Sequence, residues 1–481
     1  MAARPGQELT SGPIARTLLL FALPTLGSSI LQSINGSINA VWVGQFLGEA
    51  ALAATANANL VMFLMFSAVF GFGMAATILI GQSMGARNID AARRVVGTTM
   101  GMFLVAASLV ALAGWIFAPA LLHLLATPPE VFDLALAYLR VSFLALPPSM
   151  MAVLLTMALR GTGDSLTPLW FMVLAAIIDV GLNPVFILGL GPAPEMGIRG
   201  SATATLTANY VGLVALVAYI YSRDLPLRLR GHELAYLWPK PGLLRAIVFK
   251  GVPMGLQMLV VSVSALAMIG LVNREGAATT AAYGAANQLW TYIQMPAMAL
   301  GAAVSAMAAQ NIGADRWDRV GQVARAGLVM NLVMTGSAVL LLLLIDRHAL
   351  SLFLGDDGRA MDIARHMNLI VSWGFILFGV TAVLSAVVRA NGAVMVPLLI
   401  LVVAFFPVRL GIAAVFQPRV GPDAIWWSYN AGAVTTLILT FLYYRHGKWR
   451  EMRIIPQTDP VEAEEMVLSG TEPLGRAEPS G

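Results

Sequence analysis

The sequence predicts an all-α integral membrane protein whose twelve transmembrane helices form two pseudo-symmetric bundles of six. Of its 481 residues, 58% are hydrophobic and 11% are charged, whereas roughly a quarter of the residues in soluble proteins are charged. The apolar segments are continuous rather than alternating, which favours helices over the strands of a membrane barrel. The second half of the chain also repeats landmarks of the first. These observations disfavour a soluble enzyme, a nucleic-acid-binding protein and a disordered protein.

Twelve apolar segments are each long enough to cross a bilayer, for which a helix needs about 20 apolar residues. Short polar connections separate most of them. In chain order, we predict spans 1 to 12 at residues 17–42, 50–80, 95–119, 132–158, 166–190, 200–222, 243–270, 278–309, 322–345, 363–388, 396–417 and 425–445.

The polar segments divide the chain into five parts. The longest polar connection between spans follows span 6 and is rich in basic residues, so we predict a linker there. The last part is rich in Pro, Glu and Gly and has a net charge of −5 over residues 451–481, a composition typical of disorder. The predicted parts are an N-terminal segment at 1–16, a first bundle at 17–222, a linker at 223–242, a second bundle at 243–446 and a tail at 447–481.

The distribution of basic residues predicts the topology. Of the 29 Lys and Arg residues, 21 lie in the termini and the even-numbered connections, and 8 lie on the opposite side or inside spans. Because basic residues mark cytoplasmic loops, both termini are predicted to be cytoplasmic. The first apolar segment has no convincing cleavage site, which indicates a retained helix of a multi-pass protein in the cell inner membrane.

Two loop motifs of the first half recur in the second. Gln82, Gly85, Ala86 and Asp90 recur as Gln310, Gly313, Ala314 and Asp318, all at one constant offset in residue number. Arg160, Gly163 and Pro168 recur as Arg389, Gly392 and Pro397, at an offset that is larger by one. Chance recurrence in helices rich in Gly and Ala is the alternative, but the separated landmarks share almost one offset. A repeat of six spans is typical of secondary transporters, which bind substrates between the repeats.

Each predicted bundle begins with a span that contains a proline, Pro24 in span 1 and Pro253 in span 7. Proline removes a backbone hydrogen bond and bends helices. Two interpretations stay open at this point: a hinge that moves during transport, or a static kink of the kind that membrane helices tolerate.

The residue types do not indicate a cofactor or an enzyme. The chain contains no Cys, and its five His residues lie near span ends or in connections. An integral-membrane enzyme would need a convergent nucleophile, base or metal set, so we predict no enzymatic activity, no cofactor and no bound structural metal. A Walker A motif is also absent from the sequence, which argues against ATP as the energy source.

Several short motifs follow one another along the chain. They include Leu23-Pro24, Val41-Trp42-Val43-Gly44, Gly81-Gln82 followed by Gly85-Ala86, Leu159-Arg160-Gly161, and Asn183-Pro184. Together these motifs resemble those of the multidrug and toxic compound extrusion (MATE) transporters. The resemblance extends over about residues 15–445. It implies a V-shaped pair of six-helix bundles that exports amphipathic organic cations in exchange for H⁺ or Na⁺.

The chain departs from the family at its acidic residues. One branch of the family has an aspartate late in span 1, where this chain has Asn39. Another branch has acids in spans 7 and 10, whose interiors contain none here. The family's paired-carboxylate site is thereby reduced to one acid, Asp179, so both H⁺ and Na⁺ stay open as the coupling ion.

Asp179 lies in the middle of span 5, and an ionisable group at membrane depth is a candidate functional site. Asn183 follows one turn later on the same face, and Asn35 and Asn39 form a similar pair in span 1. If spans 1, 5 and 6 face one another as in the family, these side chains converge with Thr203 and Thr205 of span 6. Such oxygens can hold a proton, or Na⁺ at Asp179 and Asn183. The alternative is a buried acid that only fixes helix packing.

The remaining candidates would line a substrate cavity: Gln32, Asn57, Tyr283, Trp290 and Arg409. Tyr283 and Trp290 offer rings for cation–π contact, although anchoring at the membrane interface explains them equally well. Arg409 lies in the middle of span 11, where it either binds an anionic substrate group or anchors backbone carbonyl groups.

These features together predict a secondary active antiporter that exports amphipathic, cationic compounds by rocking one bundle against the other. The alternative is a lipid-linked oligosaccharide flippase of related architecture. A flippase for polyanionic substrates should line its cavity with several basic residues, whereas the span interiors here show mainly Arg409. The expected partners are drug-like small molecules and membrane lipids but no nucleic acid, and we expect a monomer.

Overall fold

Every regular element that the structure describes is helical. The computed structural model describes residues 9–125, 127–355 and 358–452, and no strand occurs within these ranges. The helices are α1 Ile14–Gly85, α2 Ile89–Leu124, α3 Pro129–Gly161, α4 Leu166–Leu188, α5 Ile198–Ser222, α6 Pro241–Asn273, α7 Ala277–Gly313, α8 Trp317–Leu354, α9 Arg359–Val371, α10 Gly374–Ala390, α11 Met395–Val403, α12 Gly411–Val420 and α13 Asp423–His446. A π-helical segment, Ala404–Leu410, joins α11 to α12, and short 3-10 helices occupy Gly231–Leu237 and Lys448–Arg450. The predicted all-α fold class is confirmed.

The first helix contains two of the predicted spans. α1 has 72 residues, and at about 1.5 Å per residue a straight helix of this length would measure ~108 Å. The hydrocarbon core of a bilayer is only about 30 Å thick. Gly48 interrupts α1 with φ 82° and ψ −175°, a conformation that glycine adopts at little steric cost. Gly48 therefore separates the segment that contains span 1 from the segment that contains span 2.

Spans 10 and 11 are each interrupted. Span 10 consists of α9 and α10, which meet at an angle of 43°. Span 11 consists of α11 and α12 with the π-helical segment between them, and that segment contains Pro407. Proline has no N–H to donate, so one α-helical hydrogen bond is missing within this segment.

The length and hydropathy of the helices agree with a membrane protein. Among the described residues, nine helical segments are long and apolar enough to cross a membrane, and the bent pair α9–α10 makes ten. This count includes α1 only once, although α1 contains two of the predicted spans. It does not include α13, which lies at the position of predicted span 12. The order of the helices therefore follows the twelve predicted segments.

Large apolar side chains cover much of the outer surface. Leu109 and Phe117 of α2 are each 61% exposed, and Leu344 of α8 is 72% exposed. Extensive exposed apolar surface is unfavourable in water and marks an interaction with a partner or a membrane. The hydrocarbon of a bilayer supplies that environment without any burial against protein.

Helices pack mainly within their own half of the chain. α1 contacts α3 and α4, and α4 contacts α5. In the second half, α7 contacts α8 and α10, and α10 contacts α13. Contacts between the halves are made chiefly by α1 with α6 and α7.

Both ends of the described chain lie on one face of the molecule, which we call the terminal face. The Leu9 carbonyl accepts a hydrogen bond from Asn311, near the end of α7, at 3.2 Å. At the other end, the Trp449 carbonyl accepts one from Asn391 after α10, at 2.7 Å. Residues 447–452, which the sequence analysis places in a disordered tail, are therefore ordered because Trp449 is buried. The acidic residues of the tail within 453–481 lie outside the described residues.

The linker folds onto the first turns of α2. Arg93 of α2 forms a salt bridge with Glu233 at 2.6 Å, and Tyr236 donates to Asp90 at 2.7 Å. The backbone N–H of Arg230 also donates to the Glu233 carboxylate at 2.8 Å, and this hydrogen bond lowers the pKa of Glu233. The sequence analysis predicts a polar connection here, and the structure shows a docked one.

Candidate functional site

Asp179 is buried in the interior of α4. Its residue surface is 2% exposed, and Asn183, one turn later on the same helix, is fully buried. The i, i+4 spacing places both side chains on one face of α4. That face is turned toward α1 and α5, so Asp179 lies between three helices.

Four side chains donate hydrogen bonds to the Asp179 carboxylate. Its Oδ2 accepts from the Nδ2 of Asn35 at 2.9 Å and from the Nδ2 of Asn39 at 2.8 Å. Its Oδ1 accepts from the Oγ1 of Thr205 at 3.0 Å and from the Nδ2 of Asn183 at 3.1 Å. An ionised carboxylate offers about four lone-pair sites, so this arrangement satisfies the charged form of the acid.

The same amides also bind one another. Asn183 Nδ2 lies 3.0 Å from the Oδ1 of Asn39 and 2.9 Å from the Asp179 carbonyl. Two amide oxygens, the Oδ1 of Asn35 and the Oδ1 of Asn183, are buried without a hydrogen-bond partner among the described residues. The cluster therefore holds donors around the carboxylate and keeps two acceptors unused.

Side chains of spans 1, 5 and 6 thus converge on Asp179 as predicted, but only one of the two threonines of span 6 contacts it. Thr205 of α5 reaches Asp179, whereas the hydroxyl of Thr203 donates to the Arg199 carbonyl of its own helix at 2.8 Å. Within the described residues there is no group of three or more His, Cys, Asp or Glu that could hold a metal ion. Any cation at this site would have amide and hydroxyl oxygens beside a single carboxylate.

Two of the predicted cavity residues lie apart from Asp179. Gln32 is exposed, one turn before Asn35 in α1. Asn57 is half-buried in the second segment of α1, and its amide donates to the Ala53 carbonyl of that helix at 3.1 Å. The structure therefore does not join these residues to the carboxylate cluster.

The other three predicted cavity residues belong to one aromatic cluster in the second half. Tyr283 and Trp290 of α7 are buried, with ring centroids 5.9 Å apart. The Tyr283 hydroxyl lies 2.7 Å from the hydroxyl of Tyr429 in α13. The Arg409 guanidinium is stacked on the Tyr429 ring, with Cζ 3.5 Å from its centroid. The Trp290 Nε1 donates to Asn368 Oδ1 at 2.8 Å.

The sequence analysis missed Tyr429 and Asn368. Tyr429 lies within predicted span 12 and Asn368 within span 10, so each is a polar group at membrane depth. Their position within spans could have identified them in the sequence, since Tyr and Asn side chains that are buried require hydrogen-bond partners. Which partners they have depends on how α7, α9 and α13 pack, which residue spacing alone does not give.

The helices that contain Pro24 and Pro253 continue through these residues. Pro24 lies inside α1 and Pro253 inside α6, and the residues around each keep helical geometry. The Pro24 carbonyl accepts a hydrogen bond from the Ser28 hydroxyl at 2.9 Å. The structure records one state of each helix, so a hinge role stays a prediction.

The two repeated loop motifs meet at the terminal face. Gln82 at the end of α1 donates to the carbonyl of Ala390, which follows Arg389 in the second copy of the Arg160–Gly163 motif, at 2.7 Å. Gln310 at the end of α7 donates to the carbonyl of Gly161, in the first such loop, at 3.0 Å. Each glutamine therefore binds the half of the chain to which it does not belong. We call these two contacts the glutamine pair.

A reciprocal glycine contact brings the same helix ends together. A Cβ on Gly85 would overlap the main chain of Gln310, and a Cβ on Gly313 would overlap the main chain of Gln82. Only a residue without a side chain allows this approach. The glycines of the repeat thus have a packing role where α1 and α7 cross.

The N-terminal residues add a strap across this crossing. The Leu9 N–H donates to the Oε1 of Gln310 at 3.0 Å. Arg316 and Arg319, at the start of α8, donate to the Thr10 carbonyl at 2.8 Å and to the Gly12 carbonyl at 2.7 Å. The strap and the glutamine pair both join the two halves at the terminal face.

Comparison with known proteins identifies the family. The family model MatE matches residues 24–185 and 253–415. The two matches begin at Pro24 and Pro253, which are equivalent positions of the repeat, so the model recognises each half.

Proteins with similar sequences have transport-related names. The "Probable multidrug resistance protein YoeA" of Bacillus subtilis (strain 168) is 36% identical over 450 residues, which cover 93% of this chain and 97% of that protein. The "Probable multidrug resistance protein YpnP" of the same strain is 27% identical over 451 residues, which cover 94% of this chain and 99% of that protein.

A solved structure shows the same fold at lower sequence identity. The crystal structure of a MATE protein in the straight conformation matches with a TM-score of 0.84 and 19% identity, over 94% of this chain and 100% of that chain. The family model covers more than half of the sequence, and the YoeA relative is similar over almost its whole length. This protein therefore belongs to the MatE family of multidrug and toxic compound extrusion transporters.

Proposed function

We propose that this protein is a secondary active antiporter that exports amphipathic, cationic organic compounds in exchange for H⁺. The observation that carries the proposal is the buried Asp179 carboxylate, which receives hydrogen bonds from side chains of three helices. The names of the relatives as multidrug resistance proteins support export. Na⁺ is the alternative coupling ion.

The donors around Asp179 favour H⁺ over Na⁺. Each carboxylate oxygen already accepts two hydrogen bonds, and hydrogen atoms that point at the carboxylate repel a metal cation. Na⁺ would require Asn35 and Asn183 to turn so that their unpartnered oxygens face it. A proton needs only one lone pair of the carboxylate.

Protonation would change the contact between α1 and α4. A protonated carboxyl group becomes a donor and keeps less capacity to accept hydrogen bonds. Asn35 and Asn39 of α1 would then present more donors to Asp179 than it accepts. Proton binding therefore weakens the link between the two helices, and proton release restores it.

Alternating access requires the terminal face to open. In our proposal the bundles at 17–222 and 243–446 rock against each other, and this motion breaks the glutamine pair. Pro24 and Pro253 are the candidate hinges of the first helix of each bundle. We propose further that both termini are cytoplasmic, that the structure is closed on the cytoplasmic side, and that a monomer surrounded by lipid works without a cofactor.

The test is ethidium transport in everted membrane vesicles, driven either by ΔpH or by a Na⁺ gradient. Wild-type protein should accumulate the dye under ΔpH, and Asp179→Asn should lose that transport. Asp423→Asn is the matched control, because Asp423 is an exposed acid that pairs with His366 of α9. The control should transport like the wild type.

Two results would overturn the proposal. Transport that follows the Na⁺ gradient and ignores ΔpH would exclude H⁺ as the coupling ion. Undiminished ΔpH-driven transport by Asp179→Asn would remove Asp179 from the mechanism. Equal membrane levels of the variants, measured by immunoblot, make the comparison valid.

A further inference from the structure

Arg409 occupies in the second half the position that Asp179 occupies in the first. α4 begins at Leu166 and α11 at Met395, and these starts are separated by the offset of the repeat. Arg409 lies one position further from the start of its helix than Asp179 does. The π-helical segment Ala404–Leu410 explains the extra position, because a π turn holds one more residue than an α turn. The halves therefore carry opposite charges at matching positions.

The guanidinium of Arg409 is stacked between aromatic rings. Its Cζ lies 3.5 Å from the ring centroid of Tyr429 and 5.5 Å from that of Phe405. Stacking uses the face of the planar group, whereas its N–H donors point outward in the plane. The Nε of Arg409 is buried and has no hydrogen-bond acceptor in the described part of the chain. The group is thus held in place with a donor edge unused.

Two acids of this half, Asp346 and Asp423, already have partners. Asp346 lies 3.0 Å from Arg365, and Asp423 lies 3.0 Å from His366. Arg409 has no salt bridge to an acid of the described residues. A charged group at membrane depth without a counter-charge is unfavourable, and an anionic ligand would remove that cost.

We propose that Arg409 is the residue that binds the carboxylate of aromatic substrates. This inference rests on the proposed export function. The carboxylate would accept a bidentate pair of hydrogen bonds from the guanidinium edge. The aromatic part of the substrate would pack beside the half-buried rings of Tyr429 and Phe405, whereas Tyr283 and Trp290 are buried in the core of this half.

A lipid phosphate offers similar oxygens to a guanidinium. The rings that flank the guanidinium, Tyr429 and Phe405, are only half-buried and suit a flat aromatic compound better than a flexible acyl chain. We therefore assign the site to the transported substrate and use the lipid as a competitor in the test.

The test compares two dyes that differ at one group. Rhodamine B carries a free carboxylate beside its cationic ring system, and rhodamine B ethyl ester lacks that negative charge. Arg409→Gln should lower rhodamine B efflux by about tenfold or more, since hydrogen bonds between charged groups are the strong ones. Efflux of the ester should stay within about twofold of the wild type. Arg419→Gln, at an exposed arginine near the end of α12, is the matched control.

Comparing the two dyes distinguishes a structural role of Arg409 from failure of the inference and from failure of the proposed function. Equal loss of both dyes by Arg409→Gln and by Arg409→Lys, at normal membrane levels, would indicate a structural role and overturn the inference. If Arg409→Gln does not reach the membrane, Arg409→Lys decides, because it keeps the charge but not the planar fork. Failure of the wild type to transport rhodamine B would overturn the inference, and transport of the ester or of ethidium would then leave the proposed function standing. Transport of none of the three dyes would overturn both.

A binding measurement distinguishes the substrate from a lipid. Rhodamine B anisotropy with the purified protein should report binding to the wild type and weaker binding to Arg409→Gln. Added phosphatidylglycerol should not abolish the wild-type signal. Binding of phosphatidylglycerol that depends on Arg409, together with rhodamine B binding that does not, would assign the site to lipid and overturn the inference.

Discussion

Removing one glutamine of the glutamine pair should lower the ratio of closed to open molecules at the terminal face by an amount that can be calculated. Gln310→Ala removes two hydrogen bonds of 3.0 Å, one from the Leu9 N–H and one to the Gly161 carbonyl. The net contribution of each is about 0.5–1.5 kcal/mol, so the closed state should lose roughly 1–3 kcal/mol. Because each 1.4 kcal/mol is about tenfold, the ratio of closed to open molecules should fall by about five- to 150-fold.

The absence of Cys from the sequence allows a direct assay. Ala86 and Ala314 follow α1 and α7 at the crossing. Spin labels at Ala86→Cys and Ala314→Cys report the distance between the halves by pulsed electron–electron double resonance. The wild-type background should show a short distance, and Gln310→Ala should add a longer one. Gln82→Ala, which removes one such hydrogen bond, should have a smaller effect.

A matched control tests whether the effect belongs to the contact between halves. Gln294 lies on the same helix as Gln310, but its amide donates to the Trp290 carbonyl of that helix. Gln294→Ala should leave the distances unchanged. The reasoning would be refuted if Gln310→Ala gave the wild-type distance distribution both in detergent and in liposomes, or if Gln294→Ala gave the same long distance.

Other contacts lead to three shorter predictions. Asn39→Leu removes a hydrogen bond to a buried carboxylate and should destabilise the purified protein by roughly 1.5–3 kcal/mol, seen as a lower Tm, whereas Asn57→Leu, at an amide bonded to its own helix, should change the Tm less. Gly85→Ala places a Cβ in the main chain of the opposite helix and should abolish the short spin-label distance, whereas Gly301→Ala meets only ordinary contacts and should keep it. The folded pKa of Glu233 is lowered, so its stabilising contribution to linker docking is present above the unfolded pKa of about 4.3 and is lost as the pH falls through the folded value. Hydrogen exchange of the linker, corrected for its intrinsic rate, should therefore accelerate at acid pH in the wild type and already at neutral pH in Glu233→Gln.

The helix order could be predicted from the sequence because apolar length reflects the thickness of the hydrocarbon core directly. How the helices are joined or interrupted could not. The break at Gly48 falls in a short polar connection that the structure makes part of one helix. Pro407 is visible in span 11, but a proline indicates only a disturbance and does not specify a π-helical segment. The polar neighbours of Trp449 favour a disordered tail, whereas its burial depends on Asn391 and the end of α13.

The sequence predicts those parts of the candidate site in which residues of one helix share a face. The pairs Asn35 with Asn39 and Asp179 with Asn183 follow from i, i+4 spacing, and the structure joins all four. Thr203 and Thr205 cannot both face Asp179, because residues two apart on a helix point in different directions. The stacking of Arg409 on Tyr429 joins spans 11 and 12, and no spacing rule along the chain relates their side chains.

The two halves keep matching residues where they contact each other and differ where a ligand would bind. At the crossing, Gln82 and Gln310 play reciprocal parts, because a contact between two similar halves is made from the same residue on both sides. At mid-membrane depth, Asp179 and Arg409 carry opposite charges in equivalent positions. A proton and an aromatic compound are chemically different ligands, so nothing requires the two bundles to be alike there. The symmetry of the sequence therefore explains the contact between the halves at the terminal face, and its departures from symmetry coincide with the two ligand sites that we propose.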